Sequence, residues 1–241
     1  MPSPTDPLPR LARAEAAAHA LYGTAAHFGP LVAVHAGPDL PVNTAWHAGT
    51  GPLTAADLAA FEAFCAEHRQ AATVQVLSDT APDLLPLFTR RGYALAGLLH
   101  AWTRPLTDLP TPTLPVQEDT PPDAWAEVAA RAFGPGSGAI MRLNAGTPGT
   151  HLLSVRVDGT PAGVAALGVR EGVAALYSAA TLPEWRGRGA QTALLAARLG
   201  LAARLGADLA SVFVRPGSAS ERNVRRAGFG VAGARLTLTR G

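Results

Sequence analysis

A segment of eight residues has a counterpart further along this chain: Arg90-Arg91-Gly92-Tyr93-Ala94-Leu95-Ala96-Gly97 lies, without a gap, over Arg226-Ala227-Gly228-Phe229-Gly230-Val231-Ala232-Gly233, an offset of 136 residues. The same offset sets Thr103-Arg104 over Thr239-Arg240, Val76 over Val212, Leu58 over Leu194 and Gly51 over Gly187. A composition rich in Ala and Gly produces matches by chance, but the order of helix, strand, helix and strand around the two copies also agrees. Duplication is the better reading, and it constrains the 241 residues to two related domains.

The local patterns fit that plan. Met1 to Pro9 carries four prolines and reads as a loose tail, and the Ala-rich stretch Arg10 to Tyr22 is helical by propensity. Leu31 to Ala36 and Asn43 to Ala48 read as strands. Thr54 is placed to cap a helix with Asp57 three residues on, and Leu58, Phe61 and Cys65 follow at helical spacing. Thr73 to Leu77 is a strand, Pro82 to Arg91 a short helix, and Tyr93 to Arg104 a long strand. Four prolines from Pro105 to Pro115 then make a semi-rigid linker. Beyond it come a strand at Leu114 to Gln117, a helix at Pro122 to Phe133 and a Gly-rich region at Gly134 to Pro148 with one helical turn. A hairpin follows, His151 to Val157 and Pro161 to Val169 joined at Asp158-Gly159. Val173 to Thr181, Leu209 to Val214 and Phe229 to Thr239 are strands, separated by helices at Gly189 to Leu205 and Ser218 to Ala227. Strands alternating with helices in this way give a mixed α/β sheet.

The hydrophobic fraction of 48% supports a folded core. Cys65 is the single cysteine, which excludes an intrachain disulfide and suits a reducing cytoplasm. Its place amid the Phe61, Phe64, His68 pattern marks it as a buried structural thiol. No apolar run approaches a membrane span and the N-terminus lacks the order of a signal peptide, so a cytoplasmic protein without membrane partners is expected. No two of the seven His share close metal-ligand spacing on one element, so no metal site is expected. The net charge of +2 hides an asymmetry. From Thr181 to Gly241 ten Arg face only Glu184, Asp208 and Glu221, leaving that stretch at +7 and pointing to an anion at the C-terminal end.

The segment Ala180-Thr181-Leu182-Pro183-Glu184-Trp185-Arg186-Gly187-Arg188-Gly189-Ala190-Gln191 carries the chemistry. A strand ends at a proline, two glycines let the chain bend tightly, and the following helix aims its unpaired amides into the turn. Such a turn cradles phosphate, with Arg186 and Arg188 adding charge.

This segment resembles the pyrophosphate loop of the GNAT superfamily of N-acetyltransferases, which reads Arg or Gln, any, any, Gly, any, Gly or Ala. Arg186 and Gly189 match, while Gln191 departs at the last position. Thr181 to Gly189 also fits the family form Val-x-Pro-x-x-Arg-Gly-x-Gly with Thr181 in place of Val. Ser218-Ala219-Ser220-Glu221-Arg222-Asn223, leading into Gly228-Phe229, is similar to the family's final helix and closing Gly-Phe. The resemblance implies two fused GNAT-like domains, each a mixed, mostly antiparallel sheet flanked by helices. They are a degenerate one at 1–106, a linker at 107–114 and an intact one at 115–241. It implies acetyl-CoA as the acyl donor, held by Thr181, Leu182, Pro183, Arg186, Gly187, Arg188, Gly189, Ala190 and Gln191, with Ser218 and Asn223 as further contacts. It implies direct attack by a small-molecule or peptide amine, with a backbone N–H at Thr181 holding the oxyanion.

Many family members place a Tyr four residues before the closing Gly as the acid for the leaving thiolate. Here that position is Val224, leaving Ser218, Ser220 and Asn223 as the polar groups nearby. Ser218 also reads as a helix cap completed by Glu221. Tyr177, Glu171 and Glu184 are the candidate bases. Two other functions stay open: a non-catalytic acyl-CoA sensor or scaffold, and, with less support because no aromatics interleave the basic residues, a nucleic-acid-binding protein. Monomer and homodimer are both compatible with the sequence.

Overall fold

The computed structural model describes residues 6–241 and forms two compact units. Residues 6–103, 213–225 and 229–241 make the first; residues 104–212 and 226–228 make the second. The chain runs α1 (Leu8–His19), β1 (Thr24–Phe28), β2 (Leu31–His35), β3 (Ala45–His47), α2 (Ala55–Glu67), β4 (Ala72–Leu77), α3 (Ala81–Arg90) and β5 (Ala94–Pro105). It continues through β6 (Val116–Gln117), α4 (Pro122–Phe133), α5 (Gly138–Gly146), β7 (Thr150–Val157), β8 (Thr160–Arg170), β9 (Val173–Thr181), α6 (Ala190–Arg204) and β10 (Leu209–Val214). It ends with α7 (Ala219–Arg226) and β11 (Gly230–Arg240). Of the expected tail, residues 1–5 lie outside the described residues. Leu8 and Pro9 open α1, since a first turn tolerates a proline that has no N–H to lose.

In the first unit the strands lie in the order β1-β2-β3-β4-β11-β5, all antiparallel except β3 beside β4. The last strand of the chain is thus part of the first unit, although its sequence position groups it with the second half. In β11 and β5, Leu99 stands opposite Arg235, and those two residues are 136 apart. Around them the pairs Gly230 with Thr103 and Ala94 with Thr239 exchange under the same offset, so the pairing of these two strands is symmetric about Leu99 and Arg235. The core beneath this sheet gathers Leu58, Phe61, Cys65, Phe88, Val74 and Leu238. Cys65 is buried and burial pushes its thiol up to about 11, which suits packing and not nucleophilic work. Helix α2 starts with a full capping box: Thr54 Oγ1 accepts from the Asp57 N–H (3.1 Å) and Asp57 Oδ2 accepts from the Thr54 N–H (3.0 Å).

In the second unit the order is β10-β9-β8-β7-β6, antiparallel except β10 beside β9. The β7–β8 turn is closed by Asp158 and Gly159, at φ 51° and 75°, the left-handed pair that a two-residue hairpin turn requires. Trp125 of α4 is fully buried with Met141, Leu152, Val164 and Ala166, and its Nε1 donates to the Ala165 carbonyl at 3.0 Å. The structure departs from the sequence reading in three elements. Residues 138–146 form a nine-residue helix, α5, where one turn was expected, because Met141, Asn144 and Ala145 gain a buried face that outweighs the flanking glycines. Strand β1 was not foreseen. Its residues are mostly exposed, and pairing with β2 holds it. Strand β6 is two residues long, since the prolines preceding it offer no N–H to a ladder.

Candidate functional site

The site is built where β9 gives way to α6. The ladder between β9 and β10 ends at Ala175 opposite Ser211, although β9 continues through Thr181. Past Ala175 one edge of β9 therefore has no partner in β10. On its other edge β9 pairs with β8, and a bulge interrupts that ladder between Val164 opposite Ala180 and Ala166 opposite Tyr177. Ser178, inside the bulge, takes φ 47°, a left-handed backbone that only local support makes tolerable in a strand. The Leu182 N–H donates to the Ala162 carbonyl at 2.9 Å. Antiparallel alternation then makes Gly163 with Thr181 a pair without mutual hydrogen bonds, so the Thr181 N–H turns away from β8 toward the unpartnered edge.

Leu182 is buried and Pro183 to Trp185 make one 3₁₀ turn, which lifts the chain out of the sheet. Gly187 and Gly189 then adopt φ 78° and 81°. A β-carbon at Gly187 would meet nothing within 4 Å, so it is the backbone angle and not crowding that calls for glycine there. Gly189 is the N-cap of α6 and contributes no side chain, no acidic residue stands in the first turn, and the first bond into the helix is from the Ala193 N–H to the Gly189 carbonyl (3.0 Å). The amides of Ala190, Gln191 and Thr192 consequently have no partner within the helix. Arg186 and Arg188 are exposed beside them. Arg188 lies over the Trp185 ring at 4.9 Å and within 3.9 Å of Asp158, an exposed pair of little energetic weight. Gln191 Oε1 accepts from Thr181 Oγ1 at 3.5 Å, tying loop to strand.

The remaining candidates are held as follows. Tyr177 Oη shares a 2.7 Å hydrogen bond with Thr150 Oγ1 and packs against the Trp125 cluster. Glu184 faces Arg131 at 3.6 Å, and Glu171 sits in the β8–β9 turn at φ 50°. Ser218, Ser220 and Asn223 belong to the first unit. Ser218 Oγ accepts from the Glu221 N–H (3.1 Å), as a cap does, and Ser220 is exposed. Val224 is buried at 4% exposure and has no proton to give.

Two groups around the bulge were not singled out by sequence. Asn144 of α5, 6% exposed, donates from Nδ2 to Ser178 Oγ at 2.9 Å. Arg198 of α6, 3% exposed, reaches the Leu194 and Ala166 carbonyls (3.3 and 3.5 Å), and burial pushes its guanidinium down to about 10. With Trp125 on the Ala165 carbonyl, side chains from α4, α5 and α6 all converge on the interrupted ladder. A polar residue on the buried side of an apolar helix is the only signal that Asn144 offered, and it shows only once α5 is known to be a helix.

Residues 110–229 match the model of the acetyltransferase (GNAT) family. The chain belongs to the GNAT superfamily. The GNAT fold extends beyond the matched segment. A GCN5-related N-acetyltransferase from Kribbella flavida is 20% identical, with a TM-score of 0.78 over 98% of this chain and 96% of that one. A GNAT-family protein from Novosphingobium aromaticivorans, described as a putative acetyltransferase, is 17% identical with a TM-score of 0.62 over 99% of both. A tandem GNAT protein from the clavulanic acid biosynthesis pathway is 16% identical with a TM-score of 0.59 over 87% of this chain and 77% of that one. No curated protein matches the sequence. As in other GNAT proteins, a mostly antiparallel sheet is flanked by helices. Among the described residues no helix is long and apolar enough to cross a membrane, and no group of three or more His, Cys, Asp or Glu is placed to hold a metal ion.

Proposed function

We propose that this GNAT protein transfers an acetyl group from acetyl-CoA to an amine. The observation that carries the reading is the start of α6: three helix amides without a partner in the helix, two left-handed glycines before them and two exposed arginines beside them. That donor set fits a pyrophosphate, since helix N-terminal amides and guanidinium groups both favour phosphate oxygens. Bound there, acetyl-CoA supplies an activated acyl carbon on a thioester. The chain's part is to hold and orient. Arg186 and Arg188 neutralise phosphate charge, and Ala190 and Gln191 offer N–H groups. Leu182 and Pro183 direct the loop away from the sheet, and the unpartnered edge of β9 offers main chain to an extended pantetheine arm. The Thr181 N–H, turned to that edge, stabilises negative charge developing on an acyl oxygen. Calorimetric titration with CoA, followed by release of free thiol from acetyl-CoA in the presence of a panel of amines, tests both halves of the reading.

Residues 1–106 are, in this proposal, a degenerate copy that holds no acetyl-CoA. The offset lays Thr50, Pro52 and Leu53 over Arg186, Arg188 and Gly189, and the amides that start α2 already have the Asp57 and Thr54 side chains at their cap. The symmetric meeting of β5 and β11 supports the duplication behind it. One observation favours a second reading, an acyl-CoA sensor without turnover: buried Val224 stands where the family's usual acid would be. Thiol release separates the two.

A further inference from the structure

Five buried side-chain atoms have no hydrogen-bond partner among the described residues: His47 Nε2, Tyr93 Oη, Trp102 Nε1, Arg235 Nε and Asn144 Oδ1. The first four belong to the first unit; Asn144 belongs to the second, and its surroundings say what it lacks. Its Nδ2 is committed to Ser178 Oγ at 2.9 Å, on the bulged residue of β9 and within the stretch that β10 no longer pairs. The carboxamide is therefore anchored by its nitrogen at the point where the edge of β9 opens. The free end is the oxygen, which accepts and cannot donate. Buried amide oxygens are nearly always hydrogen-bonded, so this one calls for an N–H or O–H from a water or a ligand.

Asn144 shares the buried face of α5 with Met141 and Ala145, and that face narrows which donor fits. Met141 and Ala145, on the same helix, join Trp125, Leu152, Val164 and Ala166 in one apolar cluster, with Tyr177 and Ile140 at its margin. That cluster is apolar, and the Tyr177 and Thr150 hydroxyls hydrogen-bond each other. Such a setting disfavours an ammonium ion, whose charge it leaves unpaired, and accommodates a neutral amine. A neutral primary amine has an N–H for Oδ1 and retains the lone pair that attacks an acyl carbon.

The geometry points to Asn144 as the residue that receives the acceptor: Oδ1 accepts an N–H from a neutral primary amine carried on an apolar group, and Ser178 fixes the carboxamide for it. The inference rests on the acyl-transfer reading above. Asn144 takes no proton. The ammonium form leaves its proton to water before binding; the N–C bond then forms, the C–S bond breaks, the amide's surplus proton goes to solvent and the sulfur departs as thiolate.

The test uses the full chain with 2-phenylethylamine and n-hexylamine as probes. In thiol-release assays Asn144→Leu is expected to raise the KM for both amines at least tenfold. CoA affinity by calorimetry should stay within twofold of wild type. Ser178→Ala, which frees the carboxamide without removing it, should raise the amine KM by a smaller factor. The same amines titrated calorimetrically into the CoA-bound protein read the site without turnover, so a wild type that binds amine yet releases no thiol would overturn the acyl-transfer reading and leave the amine site standing. An unchanged amine KM and binding heat in Asn144→Leu would overturn the inference, as would equal losses of amine and CoA affinity, which would make Asn144 a support of the bulge alone. No amine heat in the wild-type complex would overturn it too. Should Asn144→Leu fail to fold, Asn144→Ser takes its place with the same expectations.

Discussion

Gly189→Val asks whether the left-handed turn before α6 is what binds the cofactor. The residue sits at φ 81°, and the atoms nearest to a new β-carbon, Leu114 Cδ1 and Thr113 Oγ1, are 3.9 Å away. The protein therefore has room for the carbon, and the loss of stability is confined to backbone strain of about 1–2 kcal/mol. For a chain of this size that lowers Tm by about 2–8 °C. Binding should suffer more. Valine either pulls residue 189 out of the left-handed region, so that the amides of Ala190, Gln191 and Thr192 no longer converge, or keeps a phosphate from approaching the backbone. One charge-assisted hydrogen bond contributes about 1.5–3 kcal/mol, so losing one weakens CoA binding about 10- to 150-fold. Calorimetric titration with CoA measures this, and thermal unfolding of the same samples measures the strain. Gly206→Val is the control: φ there is 83°, nothing lies within 4 Å of a new β-carbon, and the position is at the far end of α6. It should show a similar fall in Tm and unaltered CoA affinity. Gly189→Val binding CoA within twofold of wild type would refute the placement, as would Gly206→Val losing as much affinity.

Wild type should bind one CoA per chain by calorimetric stoichiometry. Asp57→Ala should lower Tm slightly, through loss of the carboxylate that accepts from the Thr54 N–H, without opening a second site. Arg186→Ala should weaken CoA by a factor in the same range as Gly189→Val, with Tm unchanged because the side chain is exposed. With Val224 buried and unable to donate, Ser220→Ala and Asn223→Ala should each lower turnover by no more than about tenfold; a loss of several thousandfold in either would identify the acid. Burial raises the Glu15 carboxyl to about 7, so the folded state holds that proton more tightly than the unfolded chain. The stability it lends is complete below the ordinary value of 4.5 and lost as pH rises to about 7. His19 acts oppositely. Burial lowers it to about 4, so stability from its neutral form is present above 6.5 and lost as pH falls toward 4. Glu15→Gln should thus be the more stable protein above pH 7 and should lose stability on acidification from pH 6.5 more steeply than wild type, as followed by urea unfolding across that range.

What the sequence determined by itself is what its short-range chemistry encodes. Thr54 and Asp57 are three residues apart and cap α2 wherever that helix packs; Asp158-Gly159 closes its hairpin because both angles are set within the turn. Pro183, Gly187, Gly189 and the two arginines specify the loop before α6 within seven residues. Tertiary structure decided what depends on distant partners. That β11 lies between β4 and β5 is set by which edges remain to be paired and buried, and nothing within the last twelve residues states it. Helix α5 exists because its buried face finds Trp125, against the preference of its glycines. The bulge at Ser178 and the three side chains that converge on it come from α4, α5, α6 and two strands. Each is an ordinary residue in its own segment and becomes part of a site only when the sheet holds them within hydrogen-bonding distance.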